Sequence, residues 1–246
     1  MRTAGCLLRA GVFLVLGAAQ ASWAQEAGTG SSGGWSGEAE VGFMATSGNS
    51  ETESFNARVV LQNELFPWRH DSRLETLRSS DEDQTTAERY LFAHKTDYRF
   101  DENSYLFGTL RYEDDRFSGY DYRVSETVGY GRRVYETPDL SLDLEAGIGG
   151  RHSLLETSDE RDDELIVRGA GSLEWEISPF ARFTEELFIE SGDENTFTES
   201  ISALKLKING NLATKLSYTV RHSSDVPEDT ENTDTIVAVT LVLDFE

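Results

Sequence analysis

The chain has 246 residues, which is enough for one all-β domain or two small domains. Its 45 Asp and Glu residues outnumber its 22 Lys and Arg residues and give a formal net charge of -23 at pH 7. This acidic balance argues against nucleic acid as a partner, because phosphate binding depends on a surplus of Lys and Arg.

The N-terminus carries the pattern of a secretory signal peptide. Arg2 and Arg9 precede an apolar run over residues 10–19, and small residues at positions 22 and 24 come before a cleavage point at Gln25. An anchoring helix would need ~20 apolar residues to cross a bilayer, and this run is too short for that. We therefore predict a signal peptide over residues 1–24. Cys6 is the only cysteine, so the mature chain would have no disulfide framework and no thiolate metal site.

Residues 25–34 are rich in Gly and Ser and have no periodicity, which predicts a flexible N-terminal segment. From Trp35 onward, apolar and polar residues alternate in one segment after another. The last segment, residues 235–246, places Val237, Leu241 and Phe245 on one face. About twelve such segments follow one another, and an even number is expected of a single-chain bacterial barrel.

The connections between these segments alternate between two kinds. Short ones lie near residues 67, 101, 136, 178 and 209, whereas longer acidic ones lie near 79, 114, 156, 191 and 223. Only the connection near residue 46 breaks this rule, because it is brief. Short periplasmic turns and long outer loops are typical of outer-membrane barrels, and aromatic residues near both strand ends favour the same architecture.

We therefore predict an all-β fold over residues 35–246, a transmembrane antiparallel up-and-down β-barrel of about 12 strands with both termini in the periplasm. The alternative is a soluble secreted β-protein, since alternation alone does not say which face is wet. The closing aromatic residue and the loop asymmetry favour the membrane.

Charged faces should point into the lumen, because a Lys or Arg on the lipid face at the midplane costs ~2–4 kcal/mol. Glu185 is an exception, since it lies two residues from Leu187 and therefore on the apolar face of its strand. A local bulge or an interfacial position could explain it. Side chains of opposite sign favour a closed or very narrow lumen over an open polar pore. The predicted lumen charges include Glu38, Arg58, Lys95, Arg111, Asp143, Glu145, Arg168 and Lys215.

Three stretches carry a family resemblance: TTAERY at 85–90, SYLFGTLRYEDDRFSGYDYRVSETVGYGRRV at 104–134, and LDLEAGIGGR at 142–151. They resemble the salt-induced outer-membrane proteins of Gram-negative bacteria, a family classed as a domain of unknown function. The resemblance covers nearly the whole mature chain, and EDDRFSGYDYR is its most specific part. It implies an outer-membrane location and a link to salt or osmotic stress, and it implies no catalytic residues.

The EDDRFSGYDYR segment forms the end of one strand, a loop and the start of the next. Its charged residues could pair across the loop, and its glycine could supply a tight turn, so the favoured interpretation is that the motif sets loop geometry. The residues of this motif loop are Glu113, Asp114, Asp115, Arg116, Gly119, Tyr120, Asp121 and Arg123.

The acidic loops could hold divalent cations, because Ca²⁺ and Mg²⁺ prefer oxygen ligands. No loop has EF-hand spacing, and the scattered His70, His94 and His152 have no metal-ligand spacing, so no metal or cofactor is predicted. The glycines at 147–150 indicate close strand packing, because they lack the context of a nucleotide-binding loop.

A lipid-modifying hydrolase is the alternative function. His222 and Ser224 lie on one strand face, as in outer-membrane phospholipases and lipid A deacylases, and Glu199, Asn232 or Asp234 could orient the histidine. Nothing else in the sequence supports catalysis. The favoured hypothesis is a non-enzymatic, stress-related barrel, surrounded by outer-membrane lipid, with small ions or solutes as candidate partners.

Overall fold

The computed structural model describes residues 34–46, 52–81, 84–116, 118, 120–155, 161–226 and 231–245. The predicted signal peptide, and the predicted flexible segment up to residue 33, lie outside these described residues. No helix in the described part of the chain has the length and apolar character that crossing a membrane as a helix would require.

Strands make up most of the described chain, as the repeated alternation predicts. Their bounds, in chain order, are β1 (Trp35–Thr46), β2 (Thr52–Leu65), β3 (Trp68–Asp81), β4 (Gln84–Arg99), β5 (Ser104–Asp115), β6 (Tyr120–Glu136), β7 (Leu140–Leu155), β8 (Arg161–Ser178), β9 (Ala181–Ser191), β10 (Thr196–Asn209), β11 (Leu212–Ser223) and β12 (Thr233–Phe245).

The sheet closes on itself. Every strand pairs antiparallel with its neighbours in the chain, and β1 pairs with β12, with Gly37 opposite Phe245 and Val41 opposite Leu241. A closed sheet leaves no strand edge with unpaired backbone N–H and C=O groups, which is what a sheet in lipid requires. The predicted antiparallel up-and-down barrel of about 12 strands is confirmed.

The outside of the barrel is apolar. Successive side chains of a strand point to opposite faces, and the outward set includes Leu165, Val128 and Val239, which are 84%, 63% and 66% exposed. A water-soluble monomer rarely exposes such a broad apolar surface, whereas lipid solvates it. The outer surface therefore favours the membrane over the soluble alternative.

Aromatic rings meet at both ends of the strands. Near the short turns, Trp68 and Tyr98 lie with ring centroids 5.0 Å apart, and near the longer loops Tyr112 and Tyr122 stack at 6.2 Å. Rings at these two levels match the headgroup regions that aromatic side chains prefer.

The short turn between β4 and β5 is closed by an acidic side chain. The Asp101 carboxylate accepts backbone N–H groups from Asn103 at 2.8 Å and Ser104 at 2.6 Å. These hydrogen bonds, led by the one from Asn103, hold the pKa of Asp101 below its usual value, because they favour the ionised carboxyl.

Strands β6 and β7 pack too closely for some side chains, as the glycines of β7 predict. A Cβ added to Gly149 would overlap the backbone oxygen of Glu126, and one added to Gly147 would come within 2.7 Å of the Val128 oxygen and 3.0 Å of the Phe107 ring. Glycine therefore leaves room for the neighbouring backbone and for an inward aromatic ring.

We expect Gly149→Ala to lower the free energy of unfolding by about 1–3 kcal/mol, because the backbone must shift to accommodate the methyl group. Gly108→Ala is the matched control, since an added Cβ at Gly108 meets nothing within 4 Å. The unfolding midpoint of both variants in detergent checks this prediction, and equal midpoints would contradict it.

Candidate functional site in the lumen

Charged side chains of both signs line the lumen. Glu40, for example, lies between the outward Ala39 and Val41 and is 7% exposed. The same alternation operates on the other strands. It places all eight predicted lumen charges on inward faces: Glu38, Arg58, Lys95, Arg111, Asp143, Glu145, Arg168 and Lys215.

Neighbouring strands present opposite charges to each other. Arg58 of β2 lies directly between Glu40 of β1 and Glu75 of β3 in the strand register. Its Nη1 is 3.6 Å from Glu40 Oε1 and its Nε is 3.4 Å from Glu75 Oε1. Lys215 Nζ of β11 donates to Glu40 Oε1 at 2.9 Å. Directly opposed charges of opposite sign stabilise the pairing of strands.

One ion pair joins opposite walls of the barrel. Arg73 Nη1 of β3 lies 3.3 Å from Glu186 Oε2 of β9, and Arg58 Nη2 lies 3.9 Å from Glu186 Oε1. Strands β3 and β9 are half a turn apart in the ring of twelve strands. Side chains that meet from opposite walls obstruct the lumen at this level.

A second group of ion pairs crosses the lumen closer to the long loops. Arg221 of β11 pairs with Glu113 and, at 3.0 Å, with Asp115 Oδ2, both on β5 at the opposite wall. Arg221 Nε also lies 3.2 Å from Glu199 Oε2. Arg111 Nη2 donates to Glu113 Oε2 at 2.8 Å and to Glu199 Oε2 at 3.1 Å. These groups form one network that spans the barrel.

Further pairs lie between the walls near the short-turn end. Lys95 of β4 pairs with Glu145 of β7, whose Oε1 also accepts the Tyr105 hydroxyl at 2.9 Å. Arg69 Nε donates to Asp97 Oδ2 at 2.8 Å. The Asp97 side chain is fully buried. Ion pairs therefore occupy several levels of the described lumen.

Two phenylalanines also face inward. The rings of Phe188 and Phe197 lie 5.7 Å apart. The guanidinium groups of Arg168 and Arg111 lie 4.9 Å and 5.0 Å from the Phe188 centroid, and that of Arg221 lies 5.4 Å from the Phe197 centroid. The aromatic faces thus stabilise cations inside the barrel.

Sequence reasoning missed several lumen residues. Glu164, Glu186 and Glu190 all point inward and form ion pairs, with Arg168 Nη1 3.3 Å from Glu190 Oε1. Part of the signal was available, because each of these residues has an outward apolar residue directly beside it on its strand. Their partners were not available, because the partners lie on other strands.

Three charged residues of the motif loop find partners on other strands. Glu113 and Asp115 both pair with Arg221 across the lumen. Arg116 Nη1 pairs with Glu88 Oε2 of β4 at 2.7 Å. The motif therefore contributes to the lumen network as well as to its own loop.

The second half of the motif is built around one arginine. The guanidinium of Arg123 lies 4.3 Å from the centroid of the Tyr120 ring. Asp114 is half-buried and Asp121 is exposed. Gly119, the predicted turn residue, lies outside the described residues.

Glu185 does point outward, and its strand explains how it is accommodated. The register between β9 and β10 runs without a shift through the pair of Glu185 and Ser202, so a bulge in this pairing does not account for its position. Instead, its two carboxyl oxygens accept the hydroxyls of Ser200 at 2.7 Å and Ser202 at 2.5 Å. The neighbouring strand thus supplies hydrogen-bond partners that lipid cannot.

The two residues of the hydrolase hypothesis have separate partners. His222 Nδ1 lies 2.9 Å from Thr233 Oγ1, on the outer face. Ser224 Oγ donates to Asn195 Oδ1 at 3.2 Å and accepts the backbone N–H of Thr196 at 2.8 Å. This arrangement does not show the paired nucleophile and base that a hydrolase needs.

Two of the three candidate orienting residues, Glu199 and Asn232, have partners elsewhere. Glu199 pairs with Arg111 and Arg221 in the lumen. Asn232 Nδ2 donates to the Ser223 carbonyl at 2.8 Å. Asp234 lies opposite Arg221 in the strand register.

The scattered histidines lie on the outer face of the barrel. His94 Nδ1 is 2.9 Å from Ser72 Oγ, and His70 Nδ1 is 3.0 Å from Thr96 Oγ1. Within the described ranges, no three or more His, Cys, Asp or Glu side chains are arranged to hold a metal ion.

Comparisons with known proteins support the same architecture. A family model described as a protein of unknown function, DUF481, matches residues 39–245. The uncharacterized protein YdiY of Escherichia coli (strain K12) is 29% identical over 201 residues, which cover 80% of this chain and 78% of that protein.

Two solved outer-membrane structures share the fold. The NanC porin is 11% identical, with a TM-score of 0.51, over 85% of this chain and 97% of its own. An outer membrane channel from Pseudomonas putida F1 is 12% identical, with a TM-score of 0.52, over 87% of this chain and 96% of its own. At such identities the likeness concerns the fold alone.

Proposed function

The chain belongs to the DUF481 family of proteins of unknown function, and from that premise we propose that it is an outer-membrane barrel whose lumen is a narrow pore for small ions and solutes. Ion pairs between opposite walls hold this pore closed or nearly closed. The observation that carries the proposal is the contact between Arg73 of β3 and Glu186 of β9.

The proposed orientation in the membrane is based on the two kinds of connection predicted from the sequence. The strands extend into several of the predicted longer connections, so that β3 and β4 are separated by residues 82–83 alone. Both ends of the described barrel, Trp35 and Phe245, lie at the short-turn end. In bacterial barrels the short turns face the periplasm and the longer loops face outward. We therefore propose that both termini lie in the periplasm and that the acidic loops lie outside the cell.

The strand number supports a narrow passage. Eight strands enclose an interior that side chains fill, whereas 16–18 strands leave an aqueous channel. Twelve strands lie between these limits. The lumen is therefore wide enough for long side chains to meet at its centre, and a solute can pass only when they part.

Salt provides a physical route to opening. The Glu186 side chain is 45% exposed, so dissolved ions reach its pairs with Arg73 and Arg58. The Debye length falls from about 10 Å at 0.1 M salt to about 3 Å at 1 M, which weakens the attraction between exposed charges. A lumen that loosens at high ionic strength would connect the barrel to the salt or osmotic stress that its sequence resemblance implies.

We expect Glu186→Ala to raise the single-channel conductance of the refolded protein in planar bilayers several-fold. The change removes the bridge between the walls, while Arg73 and Arg58 keep Glu75 as a partner at 3.4 Å each, so the wall itself stays intact. The conductance of the unaltered protein should also rise more steeply with salt than the bulk conductivity does.

Glu174→Ala is the matched control for this experiment. Glu174 pairs at 3.1 Å with Arg182 of the adjacent strand and bridges no opposite walls. Its removal should leave conductance unchanged. The attraction between the charges is strong at 0.1 M salt and weak at 1 M salt. If neither the unaltered protein nor Glu186→Ala conducts at either concentration, the pore is refuted.

A further inference from the structure

The lumen contains arginine N–H groups that have no acceptor. The Arg151 side chain is 1% exposed. Its Nε donates to Glu164 Oε1 at 2.7 Å and its Nη2 contacts Glu164 and the Asn195 carbonyl. Its Nη1 has no hydrogen-bond partner among the described residues. Buried donors of this kind nearly always have an acceptor in native proteins, including ordered solvent or a ligand.

Arg123 presents the same feature on the adjacent strand. Within the described chain, no carboxylate lies within ion-pair distance of its guanidinium, and its buried Nε has no hydrogen-bond partner. Glu113 lies directly opposite Arg123 in the register, yet its two oxygens pair with Arg111 and Arg221 instead. The carboxylate opposite Arg123 is thus already engaged.

These arginines lie close together. The guanidinium carbons of Arg111, Arg123 and Arg221 lie 5.9 Å, 5.5 Å and 5.4 Å from the centroid of the single Phe197 ring. Arg151 lies one step diagonally from Arg123 across the pairing of β6 and β7, where Arg123 faces Ser153 and Ser125 faces Arg151. Diagonal neighbours on one face are about 7–8 Å apart.

We propose that these four residues, named here the arginine cluster (Arg111, Arg123, Arg151 and Arg221), bind a small oxyanion, with carboxylates and phosphates as the ligand class. A planar guanidinium presents paired N–H groups at the spacing of two such oxygens. Arg123 and the free Nη1 of Arg151 supply the donors, while Arg111 and Arg221 add positive charge held in place by Glu113 and Glu199.

The oxyanion site adds a ligand preference to the proposed pore. It rests on the proposed function only for the route by which the anion enters the lumen. An anion bound here would sit in the outer half of the lumen, between the acidic loops and the Arg73–Glu186 bridge. The arginine cluster therefore gives the pore a preference for oxyanions over cations of similar size, despite the net charge of -23 on the whole chain.

The test is isothermal titration of the detergent-solubilised full barrel with citrate, inorganic phosphate and chloride at constant ionic strength. We expect citrate and phosphate to bind and chloride not to bind. Arg123→Met should weaken oxyanion binding at least about tenfold, because it removes charged hydrogen bonds. This variant leaves no carboxylate without its ion-pair partner, so the barrel should fold. Heat-dependent gel mobility checks that it does.

Arg182→Met is the matched control, because Arg182 is a lumen arginine at the opposite end, paired with Glu174 and Glu176. It should bind oxyanions as the unaltered protein does. Arg123→Lys keeps the charge and loses the planar guanidinium. Its affinity for oxyanions should therefore lie between that of the unaltered protein and that of Arg123→Met.

Absence of binding by the unaltered protein, or equal affinity of Arg123→Met and the unaltered protein, would overturn the oxyanion site. An equal loss of oxyanion affinity in Arg182→Met would also overturn the site, since the loss would then reflect the net charge of the lumen and not a particular arginine. Conduction without binding refutes the site and leaves the pore, whereas binding without conduction refutes the pore and leaves the site.

Discussion

Replacing Arg221 by alanine should lower the free energy of unfolding of the barrel by about 3–5 kcal/mol, because it leaves buried carboxylates without a cation. Arg221 is 7% exposed and contacts three acidic groups: Glu113, Asp115 and Glu199. The side chains of Glu113 and Glu199 are themselves 7% and 3% exposed. Only Arg111 would remain to compensate them.

Urea unfolding of the protein refolded into vesicles measures this effect. Arg182→Ala is the control, since Arg182 and its partner Glu174 are about half exposed, at 46% and 48%. Exposed pairs contribute about 0–1 kcal/mol, so this variant should unfold almost as the unaltered protein does. Equal stabilities of the two variants would show that the lumen network does not hold the walls together.

A second variant keeps the prediction testable if Arg221→Ala does not refold. Arg221→Met combined with Glu113→Gln removes a carboxylate along with the cation, and methionine fills the vacated space. We expect this pair of changes to recover part of the lost stability, because it leaves one fewer buried carboxylate without a cation.

Val239→Arg should destabilise the folded barrel by about 2–4 kcal/mol, because it places a cation on the lipid face near the midplane. Val239 is 66% exposed and lies near the middle of β12, opposite Leu216. Its neighbours on the same face, Val237 and Leu241, are 66% and 47% exposed. Only lipid makes such an exposed position intolerant of charge.

Thr235→Arg is the matched control on the same face of the same strand. Thr235 is exposed and lies four residues closer to the long loops, about 14 Å along the strand at ~3.4 Å per residue. Near an interface the cost of Arg falls to about 0–1 kcal/mol. Equal costs at the two positions in vesicles would mean that water covers the outer face, and the soluble β-protein hypothesis would then be favoured.

Much of the fold is readable from local pattern. Alternation along the last strand, from Val237 to Phe245, indicates the outward face, and the alternating connection lengths predict neighbouring antiparallel strands. Family membership, predicted from stretches within residues 85–151, is confirmed by a family model that matches residues 39–245. The inward charges were predictable too, because the period of a strand assigns each residue to one face.

Glu185 shows what the local pattern can and cannot explain. Its outward position was predictable, because it lies two residues from the outward Leu187. The way in which its carboxyl group is accommodated there was not predictable. The hydroxyls of Ser200 and Ser202 come from the next strand, and the register of β9 with β10 decides that they meet the carboxyl.

The sequence by itself determined the strands, their number and the face on which each side chain lies, because these depend on residues close together in the chain. The tertiary structure alone decided which charges meet. Arg73 and Glu186 are 113 residues apart, and only the closure of β1 on β12 places their strands at opposite walls. The same closure leaves one nitrogen of Arg123 and one nitrogen of Arg151 without acceptors in the described lumen. Pairing across a barrel depends on the stagger of the whole ring, which no local pattern contains.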